Sequence, residues 1–153
     1  MMELYTFKVA LDSDKRTYRV IEISGNQTVD TFHEIIFDAF DRDEEHLYSL
    51  YLTRKPIKNV NRRYDFSEYT NSEAAEDVHD ARIHDAYSTN LEDLNLNIKD
   101  KLYYLFDFGD SWWHEITVLS INDLNIGANK GYPKIMKKAG KSPPQYDFDE
   151  NEY

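Results

Sequence analysis

Residues 103–118 read YYLFDFGDSWWHEITV, and the fold depends on where the chain turns inside this stretch. Asp107-Phe108-Gly109 spells the magnesium-binding signature of protein kinases, but the chain has no glycine-rich phosphate loop, strand lysine or catalytic-loop aspartate to accompany it. The alternation of aromatic and polar residues on either side predicts two antiparallel strands joined at Gly109-Asp110. A two-residue turn there sets Phe108 opposite Ser111 and Asp107 opposite Trp112. Tyr103, Leu105 and Asp107 then share a face with Trp112, His114, Ile116 and Val118, and Asp107 and His114 become diagonal neighbours. A slip of one residue at the turn regroups these faces.

Toward the N-terminus, YTFKVAL (5–11) and TYRVIEIS (17–24) flank the polar DSDKR and predict a hairpin, with Ile21 and Ile23 facing inward. The period then changes. Thr28 can cap a helix whose first turn holds Asp30, and Val29, Phe32, Ile36 and Phe40, with Ile35 and Ala39 slightly offset, form its apolar stripe. HLYSLYLT (46–53) is apolar on both faces and predicts a central strand. Residues 54–86 are polar and aperiodic and read as a long insertion with a short helical turn. After the hairpin, lysines precede Pro143-Pro144, and residues 145–153 read as a disordered acidic tail. The whole, residues 1–153, is expected to be one α+β domain. It has a mixed sheet, a β-β-α-β start in the element order of a β-grasp fold, a C-terminal hairpin, and one main helix packed on the sheet.

Composition narrows the function. The 153 residues carry 29 acidic and 18 basic side chains, a net charge of −11 that repels a nucleic-acid backbone. Twelve Tyr and eight Phe supply ample core material, so global disorder is a poor fit. Cysteine is absent, which removes disulfides, thiolate catalysis and cysteine-type zinc sites. With no apolar run of membrane length and no signal-peptide pattern at the start, the expectation is a cytoplasmic protein.

Two readings of Asp107 and His114 stay open. A carboxylate beside an imidazole can fix its tautomer for general-base or metal chemistry. Alternatively, the aspartates accept turn hydrogen bonds, Trp112 and Trp113 fill the core, and His114 is a satisfied buried histidine. His33 on the helix, the pair His79 and His84 in an acidic loop, and the lysines 130, 134, 137, 138 and 141 are weaker candidates for a metal or an anionic partner.

The pattern Y-L-F-D-F-G-D-S-W-W-H from Tyr104 onward follows a strand pair containing Tyr18-Arg19, the helix segment FHEII (32–36) and His46-Leu47. With Tyr132-Pro133 and Pro143-Pro144 after it, the chain resembles the plasmid ORF-three-like (Ri-plasmid ORF-3-like) family of bacterial and archaeal proteins. That resemblance implies an α+β domain of uncharacterised function and carries over His33, His46, Asp107, Gly109, Asp110, Trp112 and His114. Some members bear resolvase or transposition labels, which the acidic balance here does not support. The chain departs from the family pattern at Ser142 and at Gln145-Tyr146, where a cysteine and an acidic pair are usual.

The expectation is a non-enzymatic module that binds a protein or small ligand beside Asp107, Asp110, Trp112, His114, His33 and His46, with no cofactor. A metal-assisted hydrolase using Asp107, Asp110 and His114 is the alternative. A nucleic-acid-binding protein of a mobile element is the third reading, and charge disfavours it.

Overall fold

The computed structural model describes residues 2–71, 80–125 and 131–145. Its described strands form a single eight-stranded sheet: β1 (Met2–Leu11), β2 (Tyr18–Ser24), β3 (Tyr48–Leu52), β4 (Ser67–Thr70), β5 (Ile83–Asp85), β6 (Lys101–Phe106), β7 (Trp112–Leu124) and β8 (Lys134–Ala139). Their spatial order is β5-β4-β3-β6-β7-β1-β2-β8. Helices α1 (Val29–Ala39) and α2 (Val60–Arg63) and a 3-10 turn (Leu91–Leu94) complete the described elements. No helix among the described residues is long and apolar enough to cross a membrane.

The first elements follow the expected β-β-α-β order, and the sheet is mixed, since β4 and β5 run parallel while the other pairs are antiparallel. In space, β6 and β7 lie between β1 and β3. Helix α1 begins where Thr28 Oγ1 accepts the Thr31 backbone N–H at 3.1 Å, and Asp30 lies in its first turn. It lays Val29, Phe32, Ile36 and Ala39 on Phe7, Val9, Ile21, Ile23, Leu50, Tyr104, Phe106, Ile116 and Val118 to make the main core. The spacing of three and four puts one stripe of the helix on one face of the sheet.

The opposite face holds a smaller cluster of Tyr51, Ile57, Tyr103 and Leu105, with Phe66 and Trp113 packed against it. Its member Ile57 and the adjoining Phe66 come from 54–86. The described part of that segment is more ordered than a polar insertion suggests: it contributes α2 and the strands β4 and β5 at one edge of the sheet. Its apolar residues Ile57, Phe66 and Tyr69 are too widely spaced to show a period, so only tertiary packing reveals their role.

At the other edge, β8 pairs with β2, a strand absent from the sequence reading. Its lysines 134, 137 and 138 suit an exposed edge, where charge discourages pairing with another chain. Gln145, expected in the disordered tail, is instead buried and bonded, whereas residues 146–153 lie outside the described residues, as do His79 and Lys130.

The β6–β7 connection corrects the expected register. Phe106 faces Trp112, Leu105 faces Trp113 and Tyr104 faces His114, so five residues, Asp107–Ser111, make the turn. Its left-handed positions are Asp107 (φ 63°) and Ser111 (φ 55°), and Gly109 is not one of them. The Ser111 N–H closes the loop on the Asp107 carbonyl at 2.6 Å. Aspartate tolerates this backbone because its carboxylate satisfies local amides: Asp107 Oδ1 accepts from Gly109 N at 3.1 Å and Asp110 N at 3.3 Å.

Candidate functional site

The register shift decides what surrounds the candidate residues. Trp112 and His114 keep one face, but their neighbours across β6 are Phe106 and Tyr104 rather than Asp107 and Leu105. The expected diagonal pairing of Asp107 with His114 does not form, because Asp107 has left the strand for the turn. Its Oδ2 lies 3.5 Å from His46 Nε2, and the His46 ring meets Phe106 edge-on at 5.8 Å.

His114 is fully buried. Its Nδ1 lies 3.2 Å from the Tyr104 carbonyl, to which it donates, and its Nε2 accepts from Arg42 Nη2 at 3.0 Å. Burial, and then the adjacent guanidinium charge, push its pKa down to about 3, so the ring is neutral at physiological pH. Both ring nitrogens are used.

Arg42 is the residue missed from the sequence. It sits in the run DRDEEH (41–46), where a lone cation among acids reads as solvated loop. The fold buries it to 7% exposure. Its guanidinium lies 4.9 Å from the Trp112 ring, 5.2 Å from Phe106 and 5.6 Å from Phe40, and burial lowers its pKa to about 10, which leaves it charged at neutral pH. Among the described residues no ion pair joins it to a carboxylate. Asp107 acts on it only through the longer-range field, and Asp41 bonds to Lys138 at 3.1 Å instead.

His33 belongs to a separate network on α1. It stacks on Tyr48 at 3.7 Å and lies between Tyr104 Oη (2.5 Å, to Nδ1) and Glu45 Oε1 (2.6 Å, to Nε2). The hydrogen bond from His33 holds the Glu45 carboxyl below its ordinary pKa despite partial burial. Tyr104 therefore meets both histidines, one through its hydroxyl and one through its carbonyl.

Asp110 is exposed at the turn. It borders a cleft of about 290 Å³ lined by Asp12, Ser13, Asp110, Ser111, Trp112 and Trp113. A larger hollow of about 360 Å³, near Glu3 and Glu92, contains none of the candidate residues, so the cleft at the turn is the relevant one here. No group of three or more His, Asp or Glu side chains converges among the described residues in a way that could hold a metal ion.

The model of the plasmid pRiA4b ORF-3-like proteins matches residues 3–149. The chain belongs to that family. Among solved structures, it is similar to the crystal structure of a protein of unknown function, MM3350, from Methanosarcina mazei Go1. The TM-score is 0.70 at 16% sequence identity, over 95% of this chain and 74% of that one, a likeness of fold. A search of curated proteins gives no match. For this ORF-3-like chain, the family residues divide structurally: Asp107 and His46 meet at the turn, Trp112 and His114 meet through Arg42, and His33 joins them by way of Tyr104.

Proposed function

We propose that this ORF-3-like chain is a cytoplasmic, non-enzymatic binding module that takes a small ligand or a protein segment at the cleft beside Trp112 and Trp113. The observation that carries this reading is the commitment of the reactive groups. His114 spends both ring nitrogens on Arg42 and Tyr104, and Asp107 spends Oδ1 on two turn amides. What remains at the cleft is the exposed Asp110 and two half-buried indoles among its lining, and aromatics of this kind serve as interface anchors. The net charge of −11 disfavours nucleic acid as the occupant.

Metal-assisted hydrolysis by Asp107, Asp110 and His114 draws less support. The imidazole nitrogen a metal would need faces a guanidinium, and a cation there repels another.

Native mass spectrometry of protein purified without chelator, comparing the wild type with Asp110→Lys, tests the proposal. Trp112 packs against the main core, so its truncation would confound binding with stability. A retained small molecule or partner lost in Asp110→Lys, with the melting temperature unchanged within about 2 °C, is the expected result. A stoichiometric metal lost in His114→Ala would overturn it in favour of the hydrolase.

A further inference from the structure

Among the described residues three arginines are buried, and two of them show what a complete site looks like. Arg19 donates from Nε to the Ala39 carbonyl at 2.6 Å and from Nη1 to the carbonyls of Tyr18, Ala139 and Gly140. Arg63 forms a two-pronged ion pair with Asp12 at 3.0 and 3.3 Å and donates from Nε to the Ile57 carbonyl at 2.8 Å. Arg42, at 7% exposure, bonds to a neutral imidazole, and among the described residues its Nε has no acceptor. The indole Nε1 of Trp112, on whose ring it stacks, is also buried with no acceptor among the described residues.

A buried guanidinium without an anion is costly, and so is each buried donor left unpaired. Water could accept from such N–H groups but would leave the charge uncompensated. We propose that Arg42 and Trp112 form a site for a carboxylate, with Arg42 Nε and Trp112 Nε1 as its donors. One guanidinium beside a neutral His114, in a chain of net charge −11, matches a monoanion better than a phosphate dianion. A carboxylate is also the planar acceptor that an arginine edge fits, and in so enclosed a place its bonds are little weakened by water. The proposal deepens the binding reading by naming a ligand chemistry, yet it does not depend on the cleft at Asp110. The carboxylate can belong to a free small acid or to this chain, whose sequence beyond Gln145 carries Asp147, Asp149, Glu150 and Glu152.

The experiment is a titration of ¹⁵N-labelled full-length protein with sodium acetate, against sodium chloride at equal ionic strength. The chain has two tryptophans, so two indole signals report, and Trp113 serves as the internal control. Saturable shifts of the Trp112 indole and the Arg42 Nε signals with one shared Kd, and a still Trp113, are expected. Trp112→Phe keeps the ring and loses the donor, so acetate affinity read at Arg42 should fall roughly tenfold; Arg42→Met should abolish the Trp112 response. If the wild type is silent but the variant Asp147→Asn, Asp149→Asn, Glu150→Gln, Glu152→Gln responds, the chain supplies its own carboxylate. Silence in both overturns the proposal and leaves water as the acceptor, as would saturation by phosphate at lower concentration than by acetate. Silence alongside a ligand retained through Asp110 would sink this inference while leaving the cleft standing.

Discussion

Trp112 and Trp113 are adjacent in sequence and point to opposite faces of the sheet, and each lies under an arginine whose guanidinium carbon is 4.9 Å from its ring. On the Trp113 side Arg63 also has Asp12, the Ile57 carbonyl and the Tyr103 ring at 3.8 Å. On the Trp112 side Arg42 has aromatic faces and a neutral histidine. The stacking is alike and the hydrogen bonding is not. A guanidinium has five N–H donors around its edge, and rings above and below satisfy none of them. The Trp113 side is therefore a finished structural joint, and the Trp112 side is a buried charge with two N–H donors that find no acceptor among the described residues.

The largest test of this contrast is Arg63→Met. It strands Asp12 and the Ile57 carbonyl, and should cost about 3 kcal/mol in urea unfolding. Lowering the pH comes next. The unfolded chain protonates His114 near 6.5, whereas the folded ring stays neutral down to about 3. The folded form thus binds fewer protons in that window, and stability present above pH 6.5 is lost as pH falls toward 3. Thermal unfolding between pH 7 and 5, above most carboxylate titration, should show this slope, and His114→Gln should flatten it. A flat wild-type profile would mean that the Arg42 side is less closed than its geometry indicates. Arg42→Met keeps contact with Trp112 and removes an uncompensated charge but leaves the His114 Nε2 acceptor unpaired, so urea unfolding should fall by about 1 kcal/mol, well short of the Arg63→Met loss. Equal losses for Arg42→Met and Arg63→Met would erase the distinction between the two sides. Smallest is Gly109→Ala, within about 0.5 kcal/mol, because a Cβ there meets nothing nearer than Asp107 Oδ1 at 3.4 Å and the backbone is not left-handed.

Much of the core could be read from the sequence because it is periodic. The alternation around Ile21 and Ile23 and the spacing of Phe32, Ile36 and Phe40 each point to one buried face, and these residues are buried. The turn was harder. DFGD offers a glycine where a tight hairpin wants one, but Asp107 and Ser111 adopt the left-handed backbone instead, and a five-residue loop moved every partner on β6 by one. Arg42 left no local signal, since its burial arises from Phe40, Phe106 and Trp112, brought together from three parts of the chain. Strand β8 was hidden by its lysines, which mark an edge as readily as a loop.

The placement of that strand sets a timetable for assembly. The N-terminal hairpin forms from neighbouring residues, yet its two outer edges are covered by β7 and β8, and Arg19 waits for the carbonyl of Ala139, 120 residues away. Loop-closure entropy must be met before contacts of such sequence separation reward it, so the sheet belongs with slow-folding topologies. Until β7 and β8 arrive, the first hairpin exposes both of its edges to other chains. Refolding yield should therefore fall with protein concentration more steeply than equilibrium stability alone would indicate.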